Sequence, residues 1–144
     1  MEIVKYAHRF FDGVKEIHEQ SFGDEKMTDK MLMEEILNPS RRYFLALEGK
    51  EVVGYIGAWN TKTDYSIISI AIKEEYRGRG FAKQLVEKIF EDAKWNDIYS
   101  ISLEVNEDNK AAIALYRSMG FIITNTRKNY YKGGKSAHIM WKYL

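Results

Sequence analysis

IAIKEEYRGRGFAKQLV, residues 70–86, is the stretch that decides the fold. Its first three residues, Ile70–Ile72, end an apolar run typical of a buried strand, and from Phe81 onward apolar residues recur at helical spacing. Between the two lie Gly78 and Gly80, which let the backbone turn tightly and approach a ligand without a Cβ clash. The stretch therefore predicts a strand, a glycine-rich turn and the start of a helix.

The start of that helix predicts a site for phosphate. The first turn of a helix presents unpaired backbone N–H groups and the positive end of the helix dipole to an anion. Arg77 and Arg79 can add charge-assisted hydrogen bonds. A dinucleotide-binding fingerprint would need a third glycine where Lys83 stands, and the G-K-S/T of a nucleotide P-loop is absent. The alternative is a tight turn with two exposed arginines, but the flanking strand and helix favour the phosphate site.

The composition describes a folded chain with no overall excess of charge. The 144 residues are 45% apolar, include one proline and carry a formal net charge of +1. We therefore expect one domain over residues 1–144 and no nucleic-acid partner. The charge is uneven, because residues 121–144 contain five basic and no acidic residues. This basic end could face an anionic ligand or form a solvated surface.

Several classes of protein and site are excluded. The chain has no cysteine, which excludes disulfides, thiolate nucleophiles and cysteine-based metal sites. The first residues lack the apolar core of a signal peptide, and no apolar run approaches the roughly 18 residues of a membrane span. We expect a cytoplasmic protein, monomeric or homodimeric, with no membrane partner. The three histidines are isolated, and HEQSF at residues 18–22 lacks the second histidine of a zinc HExxH motif, so we expect no metal.

Hydrophobic periodicity predicts eleven elements in the order β-α-α-β-β-β-α-β-α-β-β. The fourth and fifth strands flank a crossover helix and should be parallel. The predicted fold class is α/β, with a mixed central sheet flanked by helices. The first half contains a strand at 2–7, helices at 12–22 and from the N-cap Thr28 to before Pro39, a hairpin of strands 42–48 and 51–59, and a third strand at 64–72. The second half contains a helix at 81–95, a strand at 98–105 and a helix at 110–120. It ends with a hairpin of 121–131 and 136–144 that turns at Gly133 and Gly134.

The second informative stretch is ISLEVNEDNKAAIALYRSMGF, residues 101–121. Strand alternation places Ser102 and Glu104 on the face opposite the apolar residues, so that face is either solvated or lines a polar cavity. Glu104 lies near the end of its strand, where ligands bind in open α/β sheets, but a lone glutamate is also a common surface charge. Asn109 should cap the next helix by accepting from the backbone N–H of residue 111 or 112. Tyr116 has the spacing of a core aromatic residue.

Tyr130 and Tyr131 fall in the predicted last hairpin. Adjacent strand residues point to opposite faces, so at most one of the two would face any given groove. Aromatic residues are also common in hairpins because of their β propensity alone.

Together these residues resemble the GNAT superfamily of acetyl-CoA-dependent N-acetyltransferases over nearly the whole chain. The family motif Q/R-x-x-G-x-G/A follows a strand and opens a helix, and here it is RGRGFA, residues 77–82. LEVNEDNKAAIALYRSMGF, residues 103–121, is similar to a segment of bacterial ribosomal-protein alanine N-acetyltransferases and of archaeal N-terminal acetyltransferases. RKNYYKGGKSAHIM, residues 127–140, is similar to the segment that follows it in those proteins.

The resemblance implies a single GNAT-like domain with a mainly antiparallel sheet, and a role for each matching residue. Glu104 would be the general base and Tyr116 the general acid, and Tyr130 or Tyr131 would shape the acceptor groove. The backbone of Ile70, Ala71 and Ile72 would hold the pantetheine arm of acetyl-CoA, and Asn109 would also contact the cofactor. Arg77 would add charge near the pyrophosphate. The residues around the pyrophosphate would be Gly78, Arg79, Gly80, Phe81, Ala82 and Lys83.

The implied reaction is direct transfer of acetyl to a primary amine, most closely the N-terminal α-amine of a protein or peptide, without an acyl-enzyme. The sequence departs from the family pattern in two places in the acceptor half. Lys135-Ser136-Ala137 stands where the family has Glu-Asp-Ala, and HEQSFGDEKM stands where Pro-Trp is expected after the first helix. A small amine, such as a polyamine, amino sugar or amino acid, remains an alternative acceptor. A non-catalytic acyl-CoA-binding module is a third hypothesis, and the presence of both Glu104 and Tyr116 argues against it.

Overall fold

The computed structural model describes all 144 residues and confirms the predicted order of strands and helices. Short 3-10 turns lie at His8–Phe10, Gly23–Glu25, Glu74–Tyr76 and Lys132–Gly134. The strands are β1 (Glu2–Lys5), β2 (Arg41–Glu48), β3 (Glu51–Asn60), β4 (Tyr65–Ile72), β5 (Ser100–Asn106), β6 (Ile122–Arg127) and β7 (Ala137–Tyr143), and the helices are α1 (Phe11–Phe22), α2 (Asp29–Leu37), α3 (Phe81–Trp95) and α4 (Lys110–Ser118).

The seven strands form one sheet in the order β1-β2-β3-β4-β5-β7-β6. Only β4 and β5 pair in parallel, as the crossover through α3 requires, and every other pair is antiparallel. The mixed, mainly antiparallel sheet is therefore confirmed. The sequence did not predict that β7 lies between β5 and β6, because hairpin pairing alone leaves open which of the two strands meets β5.

The two faces of the sheet are covered unequally. Helices α3 and α4 cover one face, over a core of 21 buried residues that includes Leu85, Ile101 and Tyr116. Helices α1 and α2 cover the β1–β4 half of the other face, over a smaller core of 11 buried residues that includes Ile17 and Tyr55. None of the four helices has both the length and the apolarity to cross a membrane.

The predicted helix caps are present. The Thr28 hydroxyl accepts from the Met31 N–H at 3.2 Å and begins α2. The Asn109 side chain accepts from the Ala112 N–H at 3.2 Å and begins α4. Each bond satisfies one of the backbone donors that a helix leaves unpaired in its first turn.

The last hairpin is shorter than predicted. Strand β6 ends at Arg127, so Tyr130 and Tyr131 lie in the connection to β7 and not on a strand. Asn129 has a φ of +55°, a left-handed conformation that interrupts the strand, and asparagine tolerates it better than most residues. The expectation that the two tyrosines point to opposite faces is therefore wrong, because strand alternation does not apply to them.

Candidate active site

Strands β4 and β5 separate at one end of the sheet. Their parallel pairing runs from Tyr65 opposite Ile101 to Ile67 opposite Leu103 and goes no further. At this point a bulge leaves Ile68 as an extra residue of β4 relative to β3. A bulge bends its strand and breaks the ladder locally, and it therefore accounts for the gap between the two strand ends.

The free edge of β4 directs backbone groups into this gap. The Lys73 N–H donates to a β3 carbonyl at 2.8 Å, and hydrogen-bonded pairs alternate along an antiparallel ladder. Ala71 is therefore also turned toward β3, whereas Ile70 and Ile72 direct their N–H and C=O groups into the gap. The Ile72 carbonyl accepts from Arg77 Nε at 3.1 Å. The other groups are available to an extended ligand lying beside β4.

The gap opens into a groove of about 720 Å³. Its walls come from β4, from the turn and first residues of α3, from α4 and from the C-terminal end of α1. Most of the predicted acetyl-CoA residues and one of the two predicted catalytic residues line it together, namely Ile70, Ala71, Ile72, Arg77, Gly78, Gly80, Phe81, Ala82, Lys83, Asn109 and Tyr116.

Other lining residues were missed from the sequence. Ala112 and Leu115 share one side of α4 with Tyr116, and the helical spacing of that segment could have identified them. Ser21 and Phe22 come from α1, more than forty residues before β4. No local pattern could have placed them here, because the contact depends on how α1 packs across the sheet.

The first turn of α3 has the properties of an anion site. Gly78 and Gly80 have φ values of +75° and +86°, which favour glycine. The first helical bond of α3 is from the Gln84 N–H to the Gly80 carbonyl at 3.2 Å, so the N–H groups of Phe81 to Lys83 have no partner within the helix. No side chain caps this turn and no acidic residue lies in it. An anionic ligand would complete it.

The two arginines of the turn take different positions. Arg77 lines the groove and is held against the end of β4 by its bond to the Ile72 carbonyl. Arg79 lies outside the groove lining, with its guanidinium 5.0 Å from the centre of the Tyr76 ring. Arg77 is therefore the arginine closer to a ligand in the groove.

Tyr116 brings a phenol to the groove from within the core. It is 5% exposed, and its ring packs edge-on against Phe121 at 5.7 Å between centroids. Burial raises the pKa of Tyr116 to about 12. The phenol is therefore protonated at neutral pH and has a proton to donate.

Glu104 lies on the other face of the sheet. Its neighbours Leu103 and Val105 are buried against α3 and α4, so alternation turns Glu104 to the face that α1 and α2 cover only in part. Glu104 Oε1 is 3.3 Å from an Arg127 nitrogen, and the side chain is about one-third exposed. Glu104 does not line the groove that contains Tyr116, because the two side chains lie on opposite faces of the sheet.

Tyr130 and Tyr131 gather beside Glu104. Their rings contact each other edge-on, with 5.0 Å between centroids. The neighbouring Glu104 carboxylate raises the pKa of Tyr130, and burial, followed by the charge of Glu104, raises the pKa of Tyr131. Both tyrosines therefore lie near the Glu104 carboxylate, whereas strand alternation predicted that at most one of them would face any given groove.

The profile of the acetyltransferase (GNAT) family matches residues 7–121 of the chain, which include β4, α3, β5 and α4. The chain belongs to the GNAT family. It is therefore an acetyltransferase, and GNAT acetyltransferases use acetyl-CoA. A GNAT relative from Mycobacterium tuberculosis (strain ATCC 25618 / H37Rv), N-alpha-acetyltransferase RimI, is 33% identical over 131 residues, which cover 87% of this chain and 81% of the relative.

Solved GNAT structures share this fold. The ribosomal-protein-S18-alanine N-acetyltransferase from Escherichia coli matches with a TM-score of 0.89 and 22% identity, over 99% of this chain and 93% of that chain. An aminoglycoside 6'-N-acetyltransferase complexed with coenzyme A matches with a TM-score of 0.90 and 17% identity, over 99% and 97% of the two chains. The two structures are named for different acceptors, so the GNAT fold alone does not select the acceptor.

The groove of this GNAT protein fits the chemistry of acetyl-CoA. The α3 turn offers unpaired N–H groups and Arg77 to a pyrophosphate, the edge of β4 offers peptide groups to the amides of a pantetheine arm, and Ala112 and Leu115 offer apolar surface. No group of three or more His, Cys, Asp or Glu side chains is arranged to hold a metal ion.

Proposed function

We propose that this GNAT enzyme transfers acetyl from acetyl-CoA to the N-terminal α-amine of a protein or peptide, of the ribosomal-protein alanine type. The observation that carries the proposal is the gap between β4 and β5. In the proposed arrangement it joins a groove suited to acetyl-CoA, on the α3–α4 side, to Glu104 and the two tyrosines on the other face. A relative named as an N-alpha-acetyltransferase supports the choice of acceptor.

In this proposal the chain binds the donor mainly through its backbone. The N–H groups of Phe81 to Lys83 and the side chain of Arg77 hold the pyrophosphate. Ile70 and Ile72 hold the pantetheine amides as an additional strand beside β4. Asn109, which lines the groove at the start of α4, contributes the remaining polar contact. This arrangement points the thioester into the gap.

Glu104 acts as the general base. An α-amino group has a pKa of about 8, so at neutral pH it arrives largely as an ammonium, which cannot attack a thioester. Glu104 takes a proton from the incoming amine, directly or through one water. Arg127 pairs with the carboxylate, with 3.3 Å between its nitrogen and Glu104 Oε1. Backbone N–H groups of β4 that face the gap stabilise the oxyanion formed on attack.

Tyr116 acts as the general acid. The bond from the acetyl carbon to sulfur breaks, and the departing thiolate takes a proton from the Tyr116 phenol. A pKa of about 12 keeps that proton on Tyr116 until the thiolate forms. The nitrogen of the new amide loses its remaining excess proton to water. Glu104 also releases its proton to water, and the Tyr116 phenolate takes a proton back from water, so that the enzyme returns to its starting state. The amine attacks the thioester directly, so no acyl-enzyme forms, and the absence of cysteine excludes a cysteinyl intermediate.

A small amine is the second candidate acceptor. Lys135 and Ser136, in the β6–β7 connection, stand where peptide-acetylating members of the family have two acidic residues. The segment between α1 and α2 also departs from the family pattern. The Lys135 ammonium is 3.0 Å from Asp108, which leaves less negative charge near Tyr130 and Tyr131 for a polyamine. That pairing favours a peptide N-terminus over a polycation.

The experiment is a screen of acceptors with acetyl-CoA. Peptides that differ in their first residue are compared with spermidine, an amino sugar and free amino acids, and kcat/KM is measured for each. We expect peptides with a small first residue such as alanine to give the highest kcat/KM. A preference for a small amine over every peptide contradicts the proposed acceptor. Binding of acetyl-CoA without transfer to any amine supports the non-catalytic alternative.

A further inference from the structure

His18 is a buried titratable side chain that the proposed mechanism does not use. It lies on α1, one turn before Phe22, and is 4% exposed. Both ring nitrogens are engaged, because Nε2 accepts from the Met27 N–H at 2.9 Å and Nδ1 lies 3.2 Å from the Tyr55 hydroxyl oxygen. A buried ring paired on both sides fixes the segments that it joins.

These contacts define the protonation state of His18. A backbone N–H only donates, so Nε2 must accept and carries no hydrogen. The single ring hydrogen of neutral His18 is then on Nδ1, which donates to Tyr55. A protonated ring would place an N–H on Nε2 facing the N–H of Met27, with no acceptor between them. The bond to Met27 therefore exists only while His18 is neutral.

The same contacts connect His18 to the walls of the groove. Met27 belongs to the connection between α1 and α2, and the ring of Phe22, which lines the groove, is 4.8 Å from the His18 ring. On the other side, Ser69 Oγ donates to the Tyr55 hydroxyl at 3.4 Å. Ser69 directly precedes the residues of β4 that face the gap. His18 is therefore linked to Phe22 on α1 by direct contact and to Ser69 on β4 through the Tyr55 hydroxyl.

We propose that His18, in its neutral Nδ1–H form, is a positioning residue for acetyl transfer, because it holds the α1–α2 connection and Phe22 as one wall of the donor groove. The inference rests on the proposed function and adds a residue that the mechanism did not include. His18 touches neither the thioester nor the amine. It acts on donor binding through Phe22 and Met27.

The surroundings of His18 make this wall sensitive to pH. Burial lowers the pKa of His18, and smaller effects come from Glu19, which raises it, and Lys26, which lowers it. The other facing groups are Tyr55 on β3 and Ser69 on β4. Because the folded-state pKa lies below the unfolded value of about 6.5, the stability from neutral His18 is fully present above that pH. It is lost as the pH falls toward the folded-state pKa.

Two variants test the role of His18 at pH 7.5. His18→Leu fills much of the volume but offers no acceptor to the Met27 N–H, whereas His18→Gln is neutral and offers both an acceptor and a donor. We expect His18→Leu to raise the KM for acetyl-CoA about five- to tenfold with kcat within about twofold, and His18→Gln to recover most of that loss. An unchanged KM in His18→Leu, or a fall in kcat alone, overturns the proposal.

The pH dependence separates positioning from packing. Between pH 7.5 and 5.5 the KM of the wild-type enzyme should rise more steeply than that of His18→Gln, which has no ring to protonate. The phosphates of the donor titrate in the same way against both proteins. Parallel KM profiles for the two proteins overturn the proposal. If His18→Leu does not fold, this comparison decides the question alone.

Two further measurements distinguish this inference from the proposed function. Calorimetry with wild-type protein shows whether acetyl-CoA binds at all, and a failure to bind refutes the proposed function. Amide hydrogen exchange over residues 22–28 then still tests His18 without any ligand. Faster exchange in His18→Leu than in wild type and His18→Gln supports the proposal, and equal exchange in all three overturns it.

Discussion

The different roles proposed for Tyr116 and Glu104 fit their different surroundings. Tyr116 is enclosed by the core under α4, and burial brings its pKa to about 12. Glu104 is partly exposed on the opposite face and is paired with Arg127. Tyr116 therefore retains its proton, and the carboxylate of Glu104 is accessible to an incoming amine, which is the division that the proposed acid and base require.

Tyr116→Phe tests the general acid. Phenylalanine keeps the ring contact with Phe121 and removes only the hydroxyl, so we expect normal folding and unchanged affinity for acetyl-CoA. The kcat should fall by about ten- to a hundredfold, because the thiolate must leave without a proton. In the wild-type enzyme, kcat should not fall on the alkaline side below pH about 11, since Tyr116 is still protonated there. Steady-state kinetics with calorimetry measure both, and a wild-type kcat in Tyr116→Phe removes the role.

Glu104→Gln tests the general base. Glutamine keeps the size of the side chain but accepts a proton far less readily, so kcat/KM should fall about a hundredfold at pH 7 and recover in part at higher pH as the amine loses its own proton. Glu107→Gln is the matched control, because it removes the same charge from the loop after β5. Equal rates in the two variants would exclude Glu104 as the base.

At the scale of elements, the strand, turn and helix of residues 70–86 form the proposed donor site as a unit. The sequence was sufficient to predict the glycine turn, the α3 start and the cap at Asn109, because each depends on local backbone chemistry. The bulge at Ile68 was not predicted, since SIISIAI, residues 66–72, has the largely apolar composition of a continuous central strand and contains no glycine or proline to indicate a bulge. Only the register against β3 and β5 reveals it, and register depends on long-range pairing.

Lys83→Glu tests the α3 turn. A carboxylate in the first turn of a helix interacts favourably with the helix dipole, so the free energy of unfolding should rise by about 0.3–1 kcal/mol. The same carboxylate opposes an anionic ligand, so the affinity for acetyl-CoA should fall about ten- to a hundredfold. Thermal unfolding and calorimetry measure the two effects, which have opposite signs.

Lys94→Glu is the control for that change. It makes the same charge change in the last turn of α3, where a carboxylate is unfavourable, so stability should fall slightly and affinity should stay unchanged. Equal loss of affinity in both variants would mean that net charge, and not the α3 turn, attracts the ligand.

At the scale of the whole molecule, the gap between β4 and β5 lies between the proposed donor half and the proposed acceptor half of the site. The order of the elements and the parallel pair could be predicted, because hydrophobic periods and the crossover rule determine them. The placement of β7 between β5 and β6 could not, nor could the approach of Phe22 to the groove. The contacts of Tyr130 and Tyr131 were also missed, because the end of β6 depends on the left-handed Asn129. These features arise from packing between segments distant in the chain.

The most direct test of the central claim, that the groove beside β4 and α3 binds acetyl-CoA, is thermal unfolding at increasing acetyl-CoA concentration. Binding to the folded state alone should raise the Tm steadily, by about 5–10 °C at a hundred times the Kd. Pantetheine, which lacks the pyrophosphate that the α3 turn would hold, should raise it much less at equal concentration. The account predicts a rise with acetyl-CoA that Lys83→Glu weakens. An unchanged Tm at millimolar acetyl-CoA would contradict it.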